Sequence, residues 1–221
     1  TPFGVFALMA WVAGTLGFDA LLALGKLVAL NYAGCLLIIF VMYSAMIKFL
    51  AKLPVRDFFR GIIDAMAVSY STASSNATLP VTLRCAERNL GVSNSVASFV
   101  IALGATINMN GTALYQAVAT IFLAQVYGID LSTGSMALVV AMAVGASIGS
   151  PATPGVGIVI LAMVLQTVGV PPSGIALIMG VDRILDMCRT AINVTGDLVT
   201  CRLMENWSGK RLPSEALPQD A

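Results

Sequence analysis

Residues 182–197 read DRILDMCRTAINVTGD and carry three aspartates and two arginines. They lie within 174–201, a stretch otherwise apolar enough to cross a bilayer. On a helix turning about 100° per residue, Asp182, Arg183, Arg189, Thr190, Asn193 and Asp197 all fall within about 60° of Asp186. One stripe therefore holds every charge of the segment. A charge at a bilayer centre costs about 2.5–3.5 kcal/mol even on the lenient insertion scale, so five facing lipid would cost on the order of 10 kcal/mol. The stripe is expected to face protein, an ion or a solute.

Two chemistries fit these residues. Arg189 offers a planar fork for a carboxylate, and Asp186, nearly one turn away, can hold an ammonium group. An arginine and an aspartate on one face match an amino acid with a second carboxylate. Asp197 has no basic neighbour one turn earlier, and Arg202 lies toward the cytoplasmic end of the segment. A buried aspartate without a positive partner calls for a cation, and carboxylate and carbonyl oxygens suit a hard ion such as sodium. The competing reading is internal glue, with Asp186 neutralised by Arg189 or Asp182 by Arg183.

The elements that would position this stripe follow from composition and length. Of 221 residues, 58% are hydrophobic and 10% charged, and the mean hydropathy is +0.90. Soluble domains carry about a quarter charged residues, so a membrane protein with several spans is expected. The net charge of +1 leaves no basic footprint for nucleic acid. Histidine is absent, which removes the usual neutral-pH acid–base group. Cys35, Cys85, Cys188 and Cys201 have no zinc spacing and read as small apolar residues. The opening TPFGVFALMAWVAG has no basic region or cleavage site, so it reads as the end of a helix begun upstream and not as a signal peptide.

A span is predicted over 27–47, followed by KFLAKLPVRDFFR as a loop or interfacial helix. The run 95–127, if one helix, would be about 50 Å long, against a hydrocarbon core of about 30 Å. It is expected to break at NMNGT, where Gly111 permits unwound backbone. The runs 136–148 and 156–168 are each too short to cross and are stopped by GSPATPG, which predicts a hairpin entering and leaving by one face. STASSNATLP predicts another within 61–89. With both hairpins re-entrant, Lys48, Lys52, Arg56, Arg60, Arg84, Arg88, Arg202, Lys210 and Arg211 share one side, nine of the twelve basic residues. A hairpin with a polar tip thus precedes a polar-interrupted helix twice, from opposite faces. That inverted repeat is the general signature of secondary transporters.

Four motifs carry a resemblance: SSNATLPVT, LGATINMNGTALYQ, SIG…PGVG and DRILDMCRTAINVTGD. Together, in this order, they resemble the glutamate/aspartate transporters, the dicarboxylate/amino acid:cation symporters. The resemblance implies an all-α inverted-repeat core with two re-entrant hairpins, elevator-type movement, and a homotrimer held by helices upstream of this chain. It implies residues 1–25 as the end of a scaffold helix and linker, and 26–204 as a transport domain. That domain comprises helix 27–47, hairpin 61–89, broken helix 92–127, hairpin 135–170 and helix 174–201; 205–221 form a cytoplasmic tail. Carried over by position, Arg189 would bind the side-chain carboxylate and Asp186 the amino group. Thr112, Thr190 and Asn193 would add hydrogen bonds, with backbone at Ser75 and Gly157. One sodium ion would sit at Asp197 with backbone oxygens of Gly104, Asn108 and Asn193. A second would use backbone oxygens of Thr106, Ser147, Ile148 and Ser150. The family usually reads NMDGT; Asn110 removes the charge that serves a third sodium site there. No cofactor is expected beyond sodium as coupling ion.

The function expected is sodium-coupled uptake of acidic amino acids across a cell membrane. The alternatives within the family are symport of neutral amino acids or C4-dicarboxylates, or proton coupling; the aspartate at 197 favours sodium. A protease would need two aspartates on facing helices, whereas here the deep aspartates share one. There is no Ser/His or H-E-x-x-H arrangement either. A passive channel lined by the hairpins is the remaining class.

Overall fold

A computed structural model describes residues 18–149, 153 and 155–208, with the backbone alone for 18–21 and isolated positions Phe3, Phe6, Ala7, Ala10 and Gly14 before them. Ser150 and the tail from Gly209 onward lie outside the described residues. The chain is all helical, with no strand among the described residues.

The first helix, α1 (Phe18–Leu37), runs on through π-helical turns Ile38–Tyr43 and Met46–Leu50. It is longer than the 27–47 span, and the segment expected as a linker is helical from Phe18, in keeping with its Ala and Leu content. Leu27, Asn31, Cys35, Tyr43 and Ile47 are buried on one side, while Leu30, Leu37, Phe40 and Val41 stay exposed on the other. Its 29-residue apolar part, Leu22–Leu50, is long enough to cross a bilayer, as is the 33-residue run Asn94–Val126.

The first hairpin is α2 (Val55–Thr72) and α3 (Ser75–Arg84), extended by a π-helical turn Cys85–Asn89. It starts at Val55, earlier than the expected 61. The VRDFFR stretch is already its first turns, because Phe58, Ile62, Ala65 and Ser69 recur at helical spacing and are buried. At the tip Ala73 takes a left-handed conformation (φ 50°), and Ser74 caps α3 by accepting the Ala77 amide at 3.2 Å.

The long run is two helices, α4 (Asn94–Ile107) and α5 (Asn110–Val126), broken at Asn108 and Met109. The break falls ahead of Gly111, which is itself helical. Gly111 serves a close approach instead: a Cβ there would collide with the carbonyl of Arg189. The second hairpin's arms, α6 (Thr133–Ser147) and α7 (Val156–Thr167), have 15 and 12 residues. At about 1.5 Å per residue neither spans the hydrocarbon core.

A 3₁₀ turn Pro172–Gly174 and the single turn α8 (Ile175–Ile178) lead into α9 (Asp182–Trp207). The helix expected over 174–201 is therefore interrupted at 179–181, where Gly180 is a poor helix former. Asp182 then opens α9, an acid where the helix dipole favours one. Packed by α1, α2, α4 and α5, α9 is the central pole. Its polar stripe is buried apart from Arg183, and so are Leu185, Ile192, Leu198 and Val199 off the stripe. Its far end is held by Glu205, whose carboxylate accepts the Ser93 amide at 3.1 Å and hydroxyl at 2.8 Å.

Candidate functional site

The two hairpin tips, the α4–α5 break and α9 converge on one small, partly open cavity. It is lined by Ala73 and Ser75 of the first hairpin, Met109 and Thr112 at the break, and Thr153 and Gly157 of the second hairpin. Asp186, Arg189, Thr190 and Asn193 of α9 complete it. All seven residues expected to hold the solute therefore line the same space.

The competing glue arrangement is present in part. Arg189 Nη2 lies 2.6 Å from Asp186 Oδ1, and Nε lies 3.2 Å from the same oxygen. Both contacts use one carboxylate oxygen. Arg189 Nη1 is buried and has no hydrogen-bond partner among the described residues. Among the described residues, Asp186 Oδ2 receives only a long 3.4 Å contact from the Gly155 amide. Among the described residues the pair thus keeps one free donor and one nearly free acceptor. An unpaired buried guanidinium nitrogen costs more than an ordinary lost hydrogen bond, so an incoming carboxylate relieves a standing penalty.

Neighbours hold this pair in place. The Arg189 guanidinium stacks over the Tyr115 ring at 4.8 Å, and the Tyr115 hydroxyl donates to Asp182 Oδ1 at 3.2 Å. A Cβ at Gly157 would collide with the guanidinium, so glycine gives Arg189 its room. The Gly157 carbonyl accepts from Gln116 Nε2 at 2.8 Å. Asn193 Oδ1 accepts the Gly111 amide at 2.8 Å, while its Nδ2 donates to Thr112 Oγ1 at 3.2 Å and meets Met109 sulfur at 3.3 Å. Thr190 Oγ1 contacts Asp186 Oδ1 at 3.4 Å.

Asp197 lies one turn beyond Asn193 and is 2% exposed. Its hydrogen-bond partner is Asn108 Nδ2, at 3.0 Å on Oδ1. Gly104 abuts the carboxylate so closely that a Cβ would collide with Oδ1. Gly196 likewise makes room, since a Cβ would lie 2.5 Å from the Tyr43 hydroxyl and 2.8 Å from Asn108 Nδ2. A buried carboxylate met by one neutral donor, with Gly104 and Asn108 alongside, fits a hard monovalent cation held by oxygens. Among the described residues no cluster of three or more His, Cys, Asp or Glu exists, which disfavours a transition metal.

Of the residues expected at a second ion site, Thr106 meets the second hairpin: its carbonyl accepts the Gly149 amide at 2.7 Å. Ser147 is buried with its hydroxyl on Val144 O at 2.8 Å, and Ile148 is extended and half exposed. Ser150 lies outside the described residues. Asn110 donates to the Tyr43 hydroxyl and to Asn108 Oδ1, both at 3.0 Å, and Tyr43 in turn donates to Ile192 O at 3.2 Å.

Sequence reasoning passes over Tyr115, Gln116, Tyr43 and Met109. The first two follow Thr112 at helical spacing, Tyr115 meeting α9 and Gln116 meeting Gly157 of α7, but their apolar surroundings hide that in the sequence. Arg183, placed by angle on the buried stripe, is exposed and donates to the Thr72 carbonyl.

Residues 1–207 match the sequence profile of the Sodium:dicarboxylate symporter family. A proton/sodium-glutamate symport protein of Bacillus subtilis (strain 168) is 39% identical over 215 residues, covering 97% of this chain and 50% of the relative. A proton/glutamate-aspartate symporter of Escherichia coli (strain K12) is 40% identical over 209 residues, covering 95% and 47%. Excitatory amino acid transporter 2 of Homo sapiens is 49% identical over 141 residues, covering 64% and 25%. The chain spans about half the length of the bacterial relatives it matches.

Proposed function

The chain belongs to the Sodium:dicarboxylate symporter family, a family of membrane transporters and not of enzymes, and from that premise we propose that it carries the solute and ion sites of a sodium-coupled symporter for acidic amino acids. The observation that carries this is Arg189, a cavity-lining residue whose buried Nη1 has no partner among the described residues, beside a half-used Asp186. Arg189 takes the side-chain carboxylate. Asp186 takes the amino group, and Thr112, Thr190, Asn193 and backbone at Ser75 and Gly157 take the remaining polar atoms. Sodium binds at Asp197 with oxygens of Gly104, Asn108 and Asn193, and a second ion binds near Thr106, Ser147, Ile148 and Ser150. Because Thr106 already touches the second hairpin, an ion there would favour that hairpin's closure over the solute. The multi-pass position in a cell membrane, the division at residue 25, the elevator movement and a trimer formed through upstream helices belong to the same proposal.

Competition separates this from transport of neutral amino acids or C4-dicarboxylates. Uptake of labelled aspartate by the full-length protein should be blocked by unlabelled aspartate and glutamate. Serine lacks the second carboxylate and succinate lacks the ammonium, so each should compete at least about tenfold more weakly, the loss of one charge-assisted contact. Equal competition by succinate would remove Asp186 from its role.

Proton coupling is the second reading, favoured by the relatives' names. Uptake driven by a pH gradient without sodium would select it. Asn110 bears on ion count: it is neutral, and its amide is engaged by Tyr43 and Asn108. Fewer coupled sodium ions are expected than in members with aspartate at this position. A reversal-potential measurement returning the same count would contradict that.

A further inference from the structure

Arg183 is the one charge of the DRILDMCRT segment that is exposed, the other three being buried. Its Nη2 donates to the Thr72 carbonyl at 3.2 Å, bridging 111 residues of sequence. Thr72 is the last residue of α2. The final carbonyls of a helix have no intrahelical donor and carry the negative end of its dipole. The Ala73 amide answers the Ser69 carbonyl at 2.9 Å. The Thr72 carbonyl, directly before the left-handed turn, is answered by a cation from another helix.

Beyond that carbonyl the chain forms the cavity wall. Ala73 and Ser75 line the cavity, and the turn between them sets where the first amides of α3 point. A second tie acts on the same arm, since Tyr70 and Tyr32 share a hydrogen bond at 3.1 Å and Tyr32 donates to Ile184 O at 3.0 Å. Both ties end on the first turn of α9, one turn before Asp186. They therefore fix the first hairpin tip relative to the turn that bears Asp186 and Arg189.

We propose that Arg183 is a positioning residue for the solute: by capping α2 it holds the Ala73–Ser75 turn at the distance from Asp186 and Arg189 that an acidic amino acid requires. Arg183 does not itself line the cavity, so it acts through the hairpin. This rests on the proposed solute site, and the experiment keeps the two apart.

The test uses the full-length protein reconstituted in liposomes, with Arg183→Gln, Arg183→Lys and Tyr70→Phe. Aspartate affinity and backbone hydrogen exchange over 73–77 are measured for each. Arg183→Gln should weaken aspartate about tenfold, one charge-assisted hydrogen bond's worth, and speed exchange over 73–77 while leaving 156–167 unchanged. Arg183→Lys restores a cation at the helix end and should recover most of the affinity. Tyr70→Phe removes the weaker tie and should speed exchange over the same five residues to a smaller degree, which keeps the proposal testable if Arg183→Gln does not fold. Wild-type affinity and exchange in Arg183→Gln, or lysine performing no better than glutamine, overturns the proposal. Unchanged exchange at 73–77 in Tyr70→Phe counts against it likewise. Failure of the wild-type protein to bind any acidic amino acid would instead overturn the solute assignment.

Discussion

Replacing Arg189 by alanine is expected to weaken aspartate binding by about 100-fold or more. Truncating one partner of a buried, hydrogen-bonded charge pair costs about 2–5 kcal/mol, and about 1.4 kcal/mol is a factor of ten. Two losses combine here. The incoming carboxylate loses Nη1, and Asp186 loses the guanidinium that neutralises it at 2.6 Å. Arg189→Lys separates them. An ammonium keeps the charge beside Asp186 but not the fork, and it cannot stack its plane on Tyr115. It should fall between alanine and wild type. Serine, which has no second carboxylate, should lose much less affinity than aspartate in either variant. Aspartate uptake that survives Arg189→Ala would show that the cavity grips its ligand elsewhere.

Replacing Asp197 by asparagine is expected to remove most of the dependence of solute binding on sodium. Asp197 is buried with one amide as its hydrogen-bond partner, so its charge lacks compensation from the described protein atoms. Removing a charge partner from a buried site costs about 3–5 kcal/mol, which puts the loss of sodium affinity at about 100-fold or more. Asparagine keeps the size and leaves the Gly104 approach unchanged. The variant should fold, because a neutral side chain relieves desolvation. If sodium affinity were unaltered, the ion would be bound elsewhere.

Much of this is legible in the sequence because lipid enforces its rules strictly. Too many charges on one helical face, runs too short to cross, and an apolar run too long to be one span each have few physical solutions. The all-helical chain, the break near Asn108 and the inward face of α9 follow from that. The boundaries are less legible. Val55–Arg60 reads equally as a loop or an interfacial helix until Phe58 and Ile62 are seen to pack inward. The interruption at 179–181 is hidden because the flanking residues are apolar whether or not the helix continues. Gly111 illustrates a subtler limit: glycine reads as a loosener of backbone, yet here it permits contact between α5 and α9. The helical wheel places Arg183 on the stripe but cannot show that a hairpin end comes to meet it. A wheel with one polar stripe also suggests lipid on the opposite face, whereas α9 is enclosed nearly all round and its apolar residues pack against neighbouring helices.

The most direct measurement is a titration of aspartate affinity against sodium concentration, carried out on the full-length protein and on Asp197→Asn side by side. Apparent affinity for aspartate should rise steeply with sodium in the wild-type protein and lie nearly flat in the variant. A flat wild-type response, or two curves that superimpose, would contradict the coupling of solute and ion through α9.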